Sequence, residues 1–248
     1  MTNQFASVFR SVTGFKLTPP CGVLATIIVA LSLLVSGCAT PTKMAFSDDS
    51  ATTSQEISNP VFLMTVTLQN EYIKAFRPRL LVAHIEKAVV KDSADRINFT
   101  MDKKAKIESK SPTVGNTYLL RLELEQGDYV IRGFTSMARS FPFHGSFFTP
   151  LHSELQSSKP GVFYIGHVEA TVRKREEGEF KAGPSIPLLD QAMIGASTGT
   201  FDISISDQWK EDEPKFRERF PALNGVIIKK AILKPFDRSK AQKWWEGN

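Results

Sequence analysis

A strict two-residue alternation of apolar and polar side chains constrains this chain most. Tyr118, Leu120, Leu122 and Leu124 alternate with Leu119, Arg121, Glu123 and Glu125. Successive side chains of a strand point to opposite faces, so such a run has one face to bury and must pair in a sheet. Ile97, Phe99 and Met101 alternate in the same way with Asn98 and Thr100, and Phe201, Ile203 and Ile205 with Asp202, Ser204 and Ser206. Residues 61–68, 79–86, 129–134, 161–172 and 226–233 are further strand candidates, rich in β-branched and aromatic residues. Gln126-Gly127-Asp128 reads as a turn that joins 118–125 to 129–134 in a hairpin. Helical signals are few. Residues 212–220 have Asp212 as a candidate N-cap, Pro214 in the first turn, and Phe216 and Phe220 four apart, with Pro221 as a stop. Residues 237–245 form a second short candidate. The expected fold is mainly β: an antiparallel β-sandwich with one or two short helices over residues 59–248.

A different pattern governs the N-terminus. Arg10 and Lys16 precede the apolar run 22–35, with no acid among them. The run is too short for an ordinary membrane span and sits where a secretory h-region belongs. It ends in Val35-Ser36-Gly37-Cys38, which resembles the lipobox of bacterial lipoproteins. The resemblance implies cleavage between Gly37 and Cys38, a diacylglycerol on the Cys38 sulfur and acylation of the new amino group. It also implies that Ala39, which is not the Asp of inner-membrane retention, directs the protein to the outer membrane. Residues 39–58, rich in Ser and Thr, read as a flexible tether. The expected organisation is a signal peptide over 1–37, a lipidated Cys38 with its tether over 38–58, and a β-sandwich domain over 59–248.

Composition narrows the chemistry. The two cysteines are Cys21 and Cys38, so residues beyond the anchor hold no thiol. That excludes disulfides, a Cys nucleophile and a Cys-based metal site in the domain. Of 31 basic residues, Arg10 and Lys16 leave with the signal peptide, so 29 stand against 26 acids. So small an excess does not point to nucleic acid.

The phrases 124–130 and 159–166 each place a Gly turn before an aromatic, β-branched strand. They resemble the Gly-x-Tyr hairpins of prealbumin-like β-sandwich modules found in bacterial lipoproteins. That resemblance implies the sandwich and transfers no functional residue.

Several motifs invite a chemical reading. Gly195-Ala196-Ser197-Thr198-Gly199 matches the nucleophile elbow, but a strand is expected after it where an elbow requires a helix. All four histidines also precede Ser197. No His pair has zinc-ligand spacing, and no cofactor is expected. His144 and His152 flank Phe147 and Phe148 in an expected aromatic loop over 140–155. Either these residues line a pocket or the rings cover an open end of the sandwich. The acids Asp207, Glu211, Asp212 and Glu213 lack the alternating pattern of a calcium loop and suit a helix N-terminus. The run 173–179 reads as a solvated hairpin end. Lys240, Lys243, Trp244 and Trp245 set basic beside aromatic residues, as an anionic membrane or glycan surface requires. The alternative is a short helix packed on the sandwich.

The functional expectation is a lipid-anchored cell-envelope lipoprotein. It is a non-catalytic binding or scaffold module with an envelope protein or glycan as partner. An envelope-directed hydrolase and an accessory lipoprotein of an export or assembly complex are the alternatives.

Overall fold

The alternating runs pair into two sheets. The structure is a computed structural model and describes residues 41–47, 57–107, 115–184 and 191–247. The lipobox, including Gly37 and Cys38, lies outside the described residues. The chain divides into two compact units, 1–38 and 39–248, and everything described here belongs to the second.

Sheet I carries, in spatial order, β1 (Pro41–Thr42), β4 (Arg96–Thr100), β3 (Arg79–Lys87), β7 (Gly127–Ser140) and β8 (Phe143–Ser157). Sheet II carries β10 (Gly199–Ser206), β9 (Gly161–Lys174), β2 (Pro60–Asn70), β6 (Asn116–Glu123) and β5 (Lys106–Ile107). The short β11 (Ile228–Lys230) pairs with β9 ahead of β10. One core forms between the sheets. Phe62, Met64, Val66 and Leu68 of β2 and Leu120 and Leu122 of β6 join Ala83, Ile85, Phe134 and Phe147 of sheet I there. The chain is thus a mainly β, two-sheet sandwich with two α-helices among the described residues, α1 (Trp209–Arg219) and α2 (Arg238–Glu246).

Six local expectations are corrected. The ladders are not all antiparallel: β2 with β9, β11 with β9 and β1 with β4 run parallel. A parallel pair needs a long connection, and the sheet I strands β3, β4, β7 and β8 lie between β2 and β9. Residues 118–125 and 129–134 do not form a hairpin. β6 pairs with β2 in sheet II, whereas β7 pairs with β8 in sheet I, so the turn carries the chain between sheets. Gly127 makes that turn at φ +153°, a region only Gly enters freely.

The expected loop over 140–155 is instead most of β8. Its Gly145 and Pro150 imitate a loop in sequence, but β8 is the edge of sheet I, where a proline costs no ladder hydrogen bond. The Phe148 N–H points off that edge to the Ala182 carbonyl (2.8 Å), and Pro150, two residues on, turns its missing donor the same way.

Part of the expected tether is built into the fold. Residues 41 and 42 pair with Asn98 and Phe99, Met44 is buried, and the Ala45 N–H donates to the Arg121 carbonyl at 3.0 Å. Helix α1 begins at Trp209, so Asp212 lies inside its first turn and is not the N-cap. Finally, the strand expected over 226–233 pairs as a ladder only at 228–230. Ala231 and Leu233 then donate to the Tyr164 and Ile165 carbonyls.

Both helices cover sandwich surfaces. Phe216 of α1, with Phe220 and Leu223 after it, packs on Val61, Leu63, Leu119 and Val162 on the outer side of sheet II. Helix α2 is capped by Asp237, whose side chain accepts from the Ser239 and Lys240 amides. Ala182 bridges the two sheets, donating to Gly199 of β10 and accepting from Phe148 of β8. Edge strands left bare invite pairing with other chains, so this bridge protects as well as connects.

Candidate functional site

Helix α2, the β8 edge and segment 180–184 enclose an apolar groove of about 700 Å³. Phe148, Pro150, Phe180, Pro184, Trp244 and Trp245 supply most of its wall. Trp244 is held by three neighbours. Its ring lies 5.2 Å from Phe148 and 4.8 Å from His152, and the Arg132 guanidinium sits over it at 5.3 Å. The Lys181 ammonium lies 6.0 Å from the centroid of Trp245.

Backbone irregularities aim these groups. The β3–β7 and β7–β8 ladders both slip at Arg132, and β8 answers with the unpaired Leu151 and His152. A bulge of this kind re-aims side chains. Leu151 enters the core, and His152, at φ +50°, lies tilted against Trp244. Gly133 allows the bulge, since a Cβ there would stand 2.1 Å from the Thr149 carbonyl oxygen. Burial first, and the charges of Arg132 and Lys240 after it, push the His152 imidazole down to about 4. It is therefore neutral at physiological pH.

The residues singled out from sequence separate into two groups. Phe148, Trp244 and Trp245 line the groove and His152 supports it from behind. Lys240 reaches Glu154 of β8 at 3.0 Å and fixes α2 to the strand. Phe147 faces the other way, edge-on to Phe201 in the core (6.2 Å). His144 is exposed opposite Arg139, at the far end of the β7–β8 hairpin, and Lys243 is exposed on α2. Tail and aromatic strand thus meet, which neither stretch reveals alone.

A smaller compartment bearing charged side chains adjoins the groove on the outer face of sheet I. It is about 320 Å³, and His84, Glu86, Arg96, Asn98 and Arg132 contribute to it, with Phe148 shared between the two. The His84 ring is fixed by Asn98 Oδ1 (2.8 Å) and Thr135 Oγ1 (2.8 Å). Arg132 pairs with Glu86 at 2.6 Å.

The sequence reading missed a second cluster, on the opposite sheet. Asp212 is 0 % exposed. It accepts from the Tyr164 hydroxyl (2.8 Å), lies 3.1 Å from His167 Nδ1 and pairs with Lys215 at 2.9 Å. His167 Nε2 is 2.9 Å from Thr67 Oγ1, which is 3.0 Å from Thr117 Oγ1. Burial would raise the Asp212 carboxyl, but the hydrogen bonds from His167, Lys215 and Tyr164 outweigh it and hold it far below the usual carboxylate range. Burial and the same carboxylate drive the Tyr164 phenol far above its ordinary value. Hydroxyl, imidazole and carboxylate stand here in the order of a catalytic relay. Thr67, however, sits mid-strand and only 8 % exposed. The cluster pins α1 to sheet II.

Ser197 lies in a turn followed directly by β10, as the failed elbow context requires. The run 173–179 is more than a solvated end. Arg173 grips Glu179 at 2.5 Å and Asp202 at 2.9 Å, and Arg238, the first residue of α2, reaches the same two acids. Among the described residues, no three His, Cys, Asp or Glu side chains gather as a metal site would require. No described helix is long and apolar enough to cross a membrane.

Fold and groove together define a two-sheet β-sandwich with an aromatic groove at one edge. Compared with protein-family models, with curated proteins and with solved structures, the chain has no match in any of the three.

Proposed function

We propose that this protein is a lipid-anchored cell-envelope lipoprotein. Cys38 is its lipidation site, and its sandwich is a non-catalytic binding module, held at the outer membrane. The groove between β8, segment 180–184 and α2 carries the binding half of this reading. Concave, aromatic-lined sites of a few hundred Å³ with few polar groups are the usual form of small-ligand sites. The lipobox resemblance carries the anchoring half. Only Ala39 and Thr40 separate Cys38 from β1, a reach of about 10 Å. An anchor at Cys38 therefore holds the sandwich near the bilayer, and two or more acyl chains make the attachment effectively permanent. Cys38→Ser tests the anchor. Metabolic labelling with a palmitate analogue should be lost and the protein should leave the membrane fraction; labelling equal to that of the unsubstituted chain overturns the reading.

An envelope hydrolase is the second reading, and the Thr67–His167–Asp212 row is the observation in its favour. Substrate would have to reach a hydroxyl that is buried and already bonded to Thr117. That ranks it below the binding module. Thr67→Val preserves shape and removes the hydroxyl, so any hydrolytic activity of the protein should survive it.

A further inference from the structure

We propose that the outer face of sheet I binds an acyl-chain amphiphile with an anionic phosphate head. The tail lies in the groove beside α2, and the head sits at Arg96 and Arg132. This deepens the binding-module reading by naming its ligand class, and it does not depend on the anchor.

Two adjacent compartments, one without an arginine in its wall and one ringed by two, carry the inference. The groove of about 700 Å³ is walled by Phe148, Pro150, Phe180, Trp244 and Trp245, which suits a hydrocarbon chain. The neighbouring compartment of about 320 Å³ has mostly apolar atoms on its surface but is ringed by the charged side chains of Glu86, Arg96 and Arg132, and Phe148 forms part of both. Arg132 links them: it belongs to the charged side, and its guanidinium lies over Trp244 of the groove at 5.3 Å. A ligand with an apolar tail in the groove and a charged head reaching the second compartment would place that head at the two arginines.

The sign of the head follows from the charges. Arg96 and Arg132 face one carboxylate, Glu86, which Arg132 already holds at 2.6 Å. One guanidinium remains in excess. Arg96 is exposed and has no ion-pair partner among the described residues. Its planar fork of donors matches phosphate oxygens two at a time, which an ammonium head cannot exploit. Asn98 and His84 close the compartment with a hydrogen bond to each other, so it is preformed before a ligand arrives.

The test uses residues 39–248, the unit that contains both sheets and both helices. The chain has three tryptophans, and Trp209 lies apart in α1 against Tyr164, so Trp209→Phe leaves a fluorescence signal from Trp244 and Trp245 only. Dodecyl phosphate, titrated below its micelle concentration, should change that signal saturably. Dodecyltrimethylammonium, with the same tail, should bind at least about tenfold more weakly, and glycerol phosphate, without a tail, should leave the signal unmoved. Arg96→Gln, at an exposed position, should weaken dodecyl phosphate about tenfold, the weight of one charged hydrogen-bonding group. Calorimetry on the unsubstituted 39–248 chain gives the same affinities without relying on the Trp209 variant. Equal binding of the cationic and anionic amphiphiles overturns the proposal. So does an unchanged affinity in Arg96→Gln, or the lack of saturable binding. Dodecyl phosphate binding alongside undiminished palmitate labelling of Cys38→Ser would sink the anchor and leave this site standing; the reverse pair of results would do the opposite.

Discussion

Trp244 and Phe148 meet with ring centroids 5.2 Å apart, one from the last helix and the other from an edge strand. This contact joins the C-terminal tail to sheet I and forms one wall of the groove. Because Arg132 and His152 rest on the same indole, the tail is part of the packed domain and not a free basic arm. Trp244→Ala should therefore cost about 2 kcal/mol of stability, through the area returned to water and the void left behind. A urea titration checks it. A change below about 0.5 kcal/mol would mark the indole as a surface ornament.

The neutral state of His152 makes stability depend on pH. Its imidazole titrates near 4 when folded, against an ordinary 6.5. Between those values the unfolded chain takes up a proton that the folded chain refuses. Stability is complete above 6.5 and falls as pH drops toward 4. His152→Asn keeps a residue tolerant of the left-handed backbone, φ +50°, and removes the titration. Thermal melts from pH 7 to 4 should show a shallower decline for the variant than for the parent. Parallel curves would mean that the parent's slope comes from other groups.

Asp212 behaves in the opposite sense. Its carboxyl is held below its ordinary value of 3.8, so its contribution is complete above that pH and is lost as pH falls through the lower folded value. Asp212→Asn should cost about 3 kcal/mol at neutral pH, because His167 and Lys215 lose the charge they are built around. The difference between the two proteins should narrow below pH 3.8. An Asn variant as stable as its parent at pH 7 would show that the pin contributes nothing.

Residues 41–47 belong to the fold, and their removal is measurable. Arg121 is wholly buried, donates through Nε to the Ala45 carbonyl at 2.7 Å, pairs with Asp102 and lies over the Phe220 ring at 4.0 Å. A chain beginning at Asn59 loses the Ala45 acceptor and the buried Met44. It should be at least about 3 kcal/mol less stable than one beginning at Ala39. Both should show β-dominated circular dichroism, and neither melting temperature should respond to reductant, since 39–248 contains no cysteine. Equal melting of the two chains would return 41–47 to the status of tether.

The sequence alone determined what depends on neighbouring residues. Alternation over 97–101, 118–125 and 201–206 specifies strands and the face each buries, because period-two geometry is a property of the extended backbone itself. Scarce helical periodicity specifies the mainly β class. Only the tertiary structure decided which sheet each strand joins. The turn at Gly127 has the chemistry of a hairpin, yet β6 and β7 part company there, because partner choice is settled by burial across the whole core. Alternation also could not say that the second face of sheet II is covered. Arg121 occupies a polar position that reads as solvated, and α1 with Phe220 closes over it. The groove follows the same rule. Phe148, Trp244 and Trp245 were visible as aromatic residues beside charges, but a bulge at Arg132 and a helix from the far end of the chain had to bring them together. Such contacts pair residues far apart in sequence, and no local pattern encodes them.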